Sequence, residues 1–490
     1  MLREWKKDLD IYNITKIFLW LLLASLLAIT IMIFIIASLR SLFYFFPLNY
    51  SEGHILSLVE LFKERGNYFL DITLNEYPFI HGTYPPVFIY LVGFLSGFTY
   101  SENVFFIGRC ISLFSTILIV LVLYKIFVDD SRDKVLSLFF SFIFIAPLFV
   151  IHWASLVRVD MLAILFNLIG LYIYVKYNQK KSYKRFFSII FFILAFYTKQ
   201  SAVAAFLAII TYNLFKNKKE FLRLICLYSV LLLLIFYYFN HITQGQFYLH
   251  LIEYNRFMYS FDMQKVFSIF QYFTKEFLIF FIIFLINILY IKKYSIFTIY
   301  FLYNFVFLIT KSKPGADMNY FIEPFLSLLI LGILVFIHLI KISKNKKNEV
   351  ILFSAMVLQV FFLFNLSFYK DIFTKFFLSS DYGKNTAINY YVKNSRGLIL
   401  SEDMGYLIIN KIKPIYEPFQ FLKMSEAGMW FDNKIIDDCN NKKYSLIVAG
   451  WRILSLERME ECLAENYYLI DVFENVEGGS DYKIYYPLTK

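Results

Sequence analysis

Between Ile17 and about Asn365 the chain alternates long apolar runs with short polar loops, and many of the runs are long enough to cross a roughly 30 Å hydrocarbon layer as helices. They read as eleven spans, at about 17–40, 104–124, 135–152, 160–175, 187–199, 200–215, 224–240, 277–291, 294–310, 321–340 and 349–367. The apolar piece 85–98 is expected to stay on one side as a re-entrant or interfacial segment, because a further crossing would invert every loop after it. The stretch 187–215 is too long for one comfortable crossing, so it reads as a tight hairpin with Lys199 and Gln200 at its turn; a single tilted span is the alternative. Beyond 367 the apolar runs shorten to strand length, at 397–401, 444–449, 467–471 and 482–487, separated by polar helical or loop segments. The expected fold class is therefore a polytopic α-helical membrane protein, residues 1–367, followed by an extracytoplasmic α/β domain, residues 368–490. Trp430 and Trp451 of that domain are expected in its core, with the membrane surface as the other place for them.

Composition agrees with the pattern. The 490 residues are 59% hydrophobic, with 60 Phe and 39 Tyr, more apolar surface than a soluble core can hide. The first run is long and lacks a small-residue cleavage site, so a retained helix is expected rather than a signal peptide. Four scattered cysteines, Cys110, Cys226, Cys439 and Cys462, show no metal-ligand spacing. The net charge of +11 is informative through its placement: Arg3, Lys6, Lys7 and Lys16; Lys176, Lys180, Lys181, Lys184 and Arg185; Lys216, Lys218, Lys219 and Arg223; Lys292 and Lys293; Lys341, Lys344, Lys346 and Lys347. Lys/Arg clusters in short loops mark the cytoplasmic side. Eleven spans put all five clusters there, with the N-terminus cytoplasmic and the C-terminal domain on the outer side of the membrane.

The opposite side then collects the polar residues that need another explanation. The first outer loop, 41–103, holds NYSEGH at 49–54, Glu76 and HGTYPP at 81–86; later turns hold Arg158 and Asp160, Lys199 and Gln200, Lys311 and Lys313, and Asn319 and Glu323. From His54 to Glu64 apolar residues recur at helical spacing, which predicts an amphipathic helix in the interface plane, ended by Gly66. Glu52 falls at or before its N-terminus, where unpaired N–H groups keep a carboxylate ionised. Such a carboxylate serves as a proton acceptor, a cation ligand or only a cap. Fixed cations at span ends face a bundle interior or a wet cavity. Arg158, Lys199, Lys311 and Lys313 suit a phosphate tethered to a lipid tail, and they also suit plain ion pairing with neighbours such as Asp160. A lone His81 is weak support for a metal site, and neither a Walker motif nor a dinucleotide fingerprint is present.

Read together, SEG at 51–53, GTYPPVFIYL at 82–91, GR at 108–109, VRVDMLA at 157–163, FYTKQSAVAA at 196–205 and KPGADMNYFIEP at 313–324 resemble the integral-membrane glycosyltransferases of the GT-C type, particularly bacterial relatives of protein O-mannosyltransferases and of the lipid A aminoarabinose transferase. LSEDMGYLI at 400–408 and EPFQF at 417–421 are similar to the outer domain of such proteins. The resemblance implies transfer of a sugar from a polyprenyl-phosphate donor, usually with inversion, to a glycan, lipid or protein acceptor on the outer face. It implies Glu52 as base or acceptor-orienting residue and Glu76 as a second acid. Its substrate- or phosphate-binding residues would be Tyr84, Arg109, Arg158, Asp160, Lys199, Gln200, Lys311, Lys313, Asn319 and Glu323, with Arg158, Lys199 and Lys311 as the donor-phosphate contacts. No cofactor is required; a divalent metal is admitted, with Glu52 or His81 as its candidates. Relatives often carry an Asp–Glu pair where Ser51 and Glu52 stand, which leaves the base open between Glu52 and Glu76. A lipid or polysaccharide transporter and a noncatalytic assembly protein are the alternative classes.

Overall fold

The computed structural model describes residues 11–98, 103–256, 262–291, 295–343, 345–364, 380–474 and 481–488. The expected boundary at 367/368, the end of the last expected span, and Arg3, Lys6, Lys7, Lys292, Lys293 and Lys344 lie outside the described residues. The chain begins with α1 (Ile11–Phe43), α2 (Tyr50–Arg65), α3 (Pro86–Ser96), α4 (Phe106–Ser131), α5 (Lys134–Phe142), α6 (Leu148–Ala154), α7 (Asp160–Gln179), α8 (Ser188–Thr198), α9 (Ala204–Lys216) and α10 (Lys218–Ile242).

Among the described residues, five helices are long and apolar enough to cross a membrane: α1, α4, α7, α10 and Met318–Ile342. Two bent pairs raise this to seven, Lys134–Ile145 with Leu148–Ala154 at 77° and Met263–Glu276 with Leu278–Ile291 at 87°. The structure is thus polytopic and helical, and among the described residues five to seven helical spans are found where the apolar runs suggest eleven. The runs at 187–199, 200–215 and 294–310 form helices of 11, 13 and 12 residues, each short of the roughly 20 a straight crossing needs. An apolar run reports burial or lipid contact along its length and is silent about where the helix breaks. Lys199 and Gln200 do sit in a turn between α8 and α9, and α3 is an 11-residue helix too short to cross. Only 11% of the most apolar window of α10 is buried, against 67% for Met318–Ile342. The first presents its side chains to lipid; the second runs through the middle of the bundle.

The two ends of the bundle differ in chemistry. At one end the basic loops pair with one another's neighbours: Lys16 with Glu349, Lys176 with Asp129, Lys341 with Asp130, and Arg185 with Glu220. At the other end lies the tail. Its four strands, β1 (Leu398–Ser401), β2 (Tyr444–Ala449), β3 (Tyr467–Phe473) and β4 (Tyr482–Pro487), fall where the short apolar runs predict them and form a sheet of order β1-β2-β4-β3. β1 and β2 are parallel and the other pairs antiparallel, with helices such as Asn433–Asn440 and Met459–Asn466 packed around them. Cys439, near the end of the first of those helices, and Cys462, in the middle of the second, form a disulfide that the spacing alone did not reveal. Trp430 is buried against Phe79, Tyr416 and Phe421, as expected of a core residue, whereas Trp451 is 43% exposed.

The first loop and the tail share that core. Phe79 and Tyr416 form a parallel β-bridge, with Phe79 N–H donating to the Ile415 carbonyl and Glu417 N–H donating to that of Phe79. α2 is more enclosed than its amphipathic spacing suggests: every residue from Ser51 to Val59 is buried. Its polar residues Glu60, Lys63 and Glu64 are exposed, and Glu64 pairs with Lys413 of the tail. A side-chain carbon at Gly53 would lie 2.3 Å from the Gly405 nitrogen, so the close crossing of α2 over the helix Met404–Ile409 requires glycine. Gly66, in the left-handed conformation, ends α2 as expected.

Candidate active site

The site starts from a turn-and-cap built by NYSEGH. Asn49 caps α2, its side chain accepting from Ser51 N–H, and this puts Glu52 on the inner side of the first turn. There its carboxylate meets α4. Oε1 accepts from Arg109 Nε at 2.9 Å and Val157 N–H at 2.8 Å; Oε2 accepts from Arg109 Nη2 at 2.8 Å and Leu48 N–H at 2.7 Å. Four donors occupy the four lone-pair positions of the carboxylate. Arg109 is equally committed, with Nη1 donating to the carbonyls of Ser41 and Tyr44 and Nη2 also donating to that of Phe46. Both side chains are fully buried. Glu52, expected as a base, and Arg109, expected as a phosphate contact, thus form one closed ion pair that ties α1's exit, α2, α4 and the turn before α7 together. Through the Val157 N–H it also holds the backbone of VRVD.

That turn delivers the network that faces outward from this frame. Arg158 Nε lies 3.4 Å from Asp160 Oδ2 and its Nη2 donates to the Tyr84 hydroxyl at 3.0 Å, while its guanidinium lies 4.9 Å from the Trp153 ring centroid. Asp160 Oδ1 accepts from Lys199 Nζ at 2.7 Å and from Asn319 Nδ2 at 2.8 Å. The Lys199 ammonium sits 4.7 Å from the centroid of Tyr320, and Lys313 lies 5.2 Å from the same ring. Residues from the loop after α2, the start of α7, the α8–α9 turn and the 313–320 loop therefore meet at one point, as the topology argument required. A cavity of about 230 Å³ opens beside them, lined among others by Asp160, Lys199, Asn319, Tyr320 and Glu323.

The other expected residues divide. Gln200 Nε2 donates to the Thr83 carbonyl at the edge of the network. Glu323 lies deeper in the cavity wall and accepts from Asn167 and the Tyr300 hydroxyl. Lys311 stands over Phe321, apart from the Asp160 network. Glu76 is exposed in the loop that leads to Tyr77, whose hydroxyl contacts Asp438 and Tyr444 of the tail. His81 stacks on His250 at 5.0 Å, and its Nδ1 shares the Thr83 hydroxyl with His54 Nε2. Burial holds these imidazoles neutral: His54 is pushed down to about 3, with Arg158 adding to the effect, His250 to about 4, and His81 well below its usual value. Among the described residues no three His, Cys, Asp or Glu side chains are grouped to hold a metal.

Sequence reasoning missed what the tail contributes. Arg452, in the turn after β2, places its guanidinium 3.8 Å from the Tyr50 ring centroid and is held by Glu402, which accepts from Arg452 Nη1 at 2.9 Å and from the N–H groups of Gly450, Arg452 and Ile453. Glu417 caps the helix Pro418–Glu426 through the N–H groups of Phe419 and Gln420, and burial raises its carboxyl to about 7. The Tyr50 phenol is pushed up by burial and feels, in falling order, Arg452, Glu417, Arg158 and Tyr84. It is the meeting point of the two halves.

The same arrangement of bundle and tail is found in a solved structure, ArnT from Cupriavidus metallidurans bound to undecaprenyl phosphate. The match covers 93% of this chain and 97% of the other, with a TM-score of 0.60 at 11% sequence identity. The chain is similar in fold to ArnT. The apo state of ArnT from the same organism matches over the same shares at the same identity, with a TM-score of 0.56. No protein-family model matches the sequence, and no curated protein matches it. The likeness to ArnT is one of fold and extends over nearly the whole length of both chains.

Proposed function

We propose that the protein is a membrane glycosyltransferase that takes a sugar from a polyprenyl-phosphate donor and passes it to an acceptor hydroxyl, with inversion. The observation that carries the proposal is the Arg158–Asp160–Lys199 group: two cations share one carboxylate, so the buried trio keeps a net charge of +1 beside a cavity at the tail-facing end of the bundle. Buried excess charge is costly unless a counter-ion arrives, and a phosphate anchored by a lipid tail is one that reaches this depth. The fold shared with ArnT, solved with undecaprenyl phosphate, supports the same ligand class.

In this reading the acceptor oxygen attacks the anomeric carbon as the bond from that carbon to the phosphate oxygen breaks, and the hydroxyl proton passes to the departing phosphate. Arg158 and Lys199 offset the charge that grows on the departing phosphate, and Asp160 and Tyr84 hold Arg158 in line. Glu52 belongs to the frame: with every acceptor position filled by Arg109, Val157 and Leu48 it positions VRVD. The tail then lies on the extracytoplasmic side with the N-terminus cytoplasmic. The Cys439–Cys462 disulfide supports this, since such bonds persist in oxidising compartments. The test is transfer of label from a panel of radiolabelled polyprenyl-phosphate sugars to membrane acceptors by the purified protein. Absence of both transfer and hydrolysis for every donor would refute the proposal.

A further inference from the structure

The membrane part supplies Arg158, and the tail carries a second buried guanidinium, packed against Tyr50 at the start of α2. Arg452 is 9% exposed, a degree of burial that an arginine seldom adopts without a task or a partner. Its partner, Glu402, is spent on orienting it: the carboxylate holds one guanidinium nitrogen and three backbone N–H groups of the same turn, so that turn is rigid and its arginine is aimed. It is aimed at Tyr50, against whose ring it packs at 3.8 Å, with Trp451 and Phe419 on its other sides at 5.0 and 6.0 Å. Phe419 in turn touches the 313–317 loop, where a side-chain carbon at Gly315 would lie 2.5 Å from the ring. Tyr50 is half-buried, and its phenol is within electrostatic reach of both Arg452 and Arg158. Arg452 is therefore packed on the Tyr50 ring and held by Glu402, while Arg158, held by the carboxylate it shares with Lys199, lies near enough to influence the same phenol.

We propose that Arg452 is a second anion contact of the donor site, so that the donor phosphate is held jointly by Arg158 of the membrane part and Arg452 of the tail, with Tyr50 between them. The proposal rests on the polyprenyl-phosphate reading above and adds to it that the site is complete only when the tail is seated. Arginine suits the role because its planar fork engages two phosphate oxygens at once, and a lysine keeps only the charge.

The test measures binding of undecaprenyl phosphate and of uncharged undecaprenol to the full chain in nanodiscs, for the wild type, Arg452→Gln, Arg452→Lys and Arg158→Gln. Arg452→Gln is expected to weaken undecaprenyl phosphate binding roughly tenfold or more, as loss of a charge-assisted contact does, and to leave undecaprenol binding unchanged. Arg452→Lys should restore part of the loss. An equal loss for both lipids in Arg452→Gln and Arg452→Lys would show a structural arginine and overturn the proposal. So would phosphate affinity unchanged in Arg452→Gln while Arg158→Gln weakens it, an outcome that leaves the proposed function standing. A wild-type protein with no preference for the phosphate over the alcohol would overturn both.

Discussion

Replacing Glu52 by Gln separates a structural carboxylate from a chemical one. The side chain keeps its shape, but one of its two oxygens becomes an NH2 group. If the oxygen takes the Oε1 place, the NH2 faces Arg109 Nη2 and the Leu48 N–H, two donors at the 2.8 and 2.7 Å now spanned by hydrogen bonds. Flipping the amide only moves the conflict to Arg109 Nε and the Val157 N–H. Arg109 also loses its counter-charge in a fully buried site. Breaking a buried ion pair from one side costs about 3–5 kcal/mol, which for a chain of 490 residues corresponds to a fall in melting temperature of roughly 3–5 °C. The assay is thermal unfolding of the detergent-purified protein followed by size-exclusion recovery, run beside the transfer assay. Removing both charges, in Glu52→Gln with Arg109→Met, should cost less than the sum of the single changes, because neither leaves the other's charge buried alone. Transfer by Glu52→Gln should decline in proportion to the folded fraction. A variant that melts with the wild type and yet transfers nothing would refute the reasoning and return Glu52 to the chemistry.

Asp160→Asn leaves two cations without their shared carboxylate and should lower kcat/KM for transfer by roughly 30-fold to a few thousandfold, read in the same assay on folded protein. Acid should destabilise the fold through the buried imidazoles: His54 and His250 are held at about 3 and about 4, so below the ordinary value of 6.5 the unfolded chain takes up protons that the folded chain refuses, and the melting temperature should fall from pH 7 to pH 5. Glu417 acts in the other sense. Its carboxyl is raised from 4.5 to about 7, so its contribution is present below 4.5 and is lost as pH rises through 7; Glu417→Gln should remove that component, seen as a changed slope of melting temperature against pH. Reduction of Cys439–Cys462 should destabilise the tail by about 3 kcal/mol for a loop of 23 residues, measured by denaturant unfolding with and without reductant. Maleimide labelling before and after reduction should release two further thiols from membrane-isolated protein.

The parts of the molecule written in short-range pattern were readable, and the parts made by convergence were not. The tail strands fall where the apolar runs shorten, and the α8–α9 turn falls at Lys199 and Gln200, because both follow from neighbours in sequence. The grouping of Arg158, Asp160, Lys199 and Asn319 was readable only through topology, which put all four at one end of the bundle and was silent on distance. Glu52 and Arg109 show the limit. Each carried a motif that drew attention to it, and each looked functional for the reason that a charge in an apolar chain must have a partner. Their partners are each other, 57 positions apart, and charge alone does not tell a pair that holds a site from one that acts in it. Arg452 failed to stand out for the opposite reason. It sits in an ordinary polar stretch of the tail, where a cation needs no explanation until the chain brings it over Tyr50. The tail is then more than a soluble appendage: its core includes Phe79 of the first loop, and its glycine at 405 admits α2. A change anywhere in that shared core should therefore be felt at Arg158.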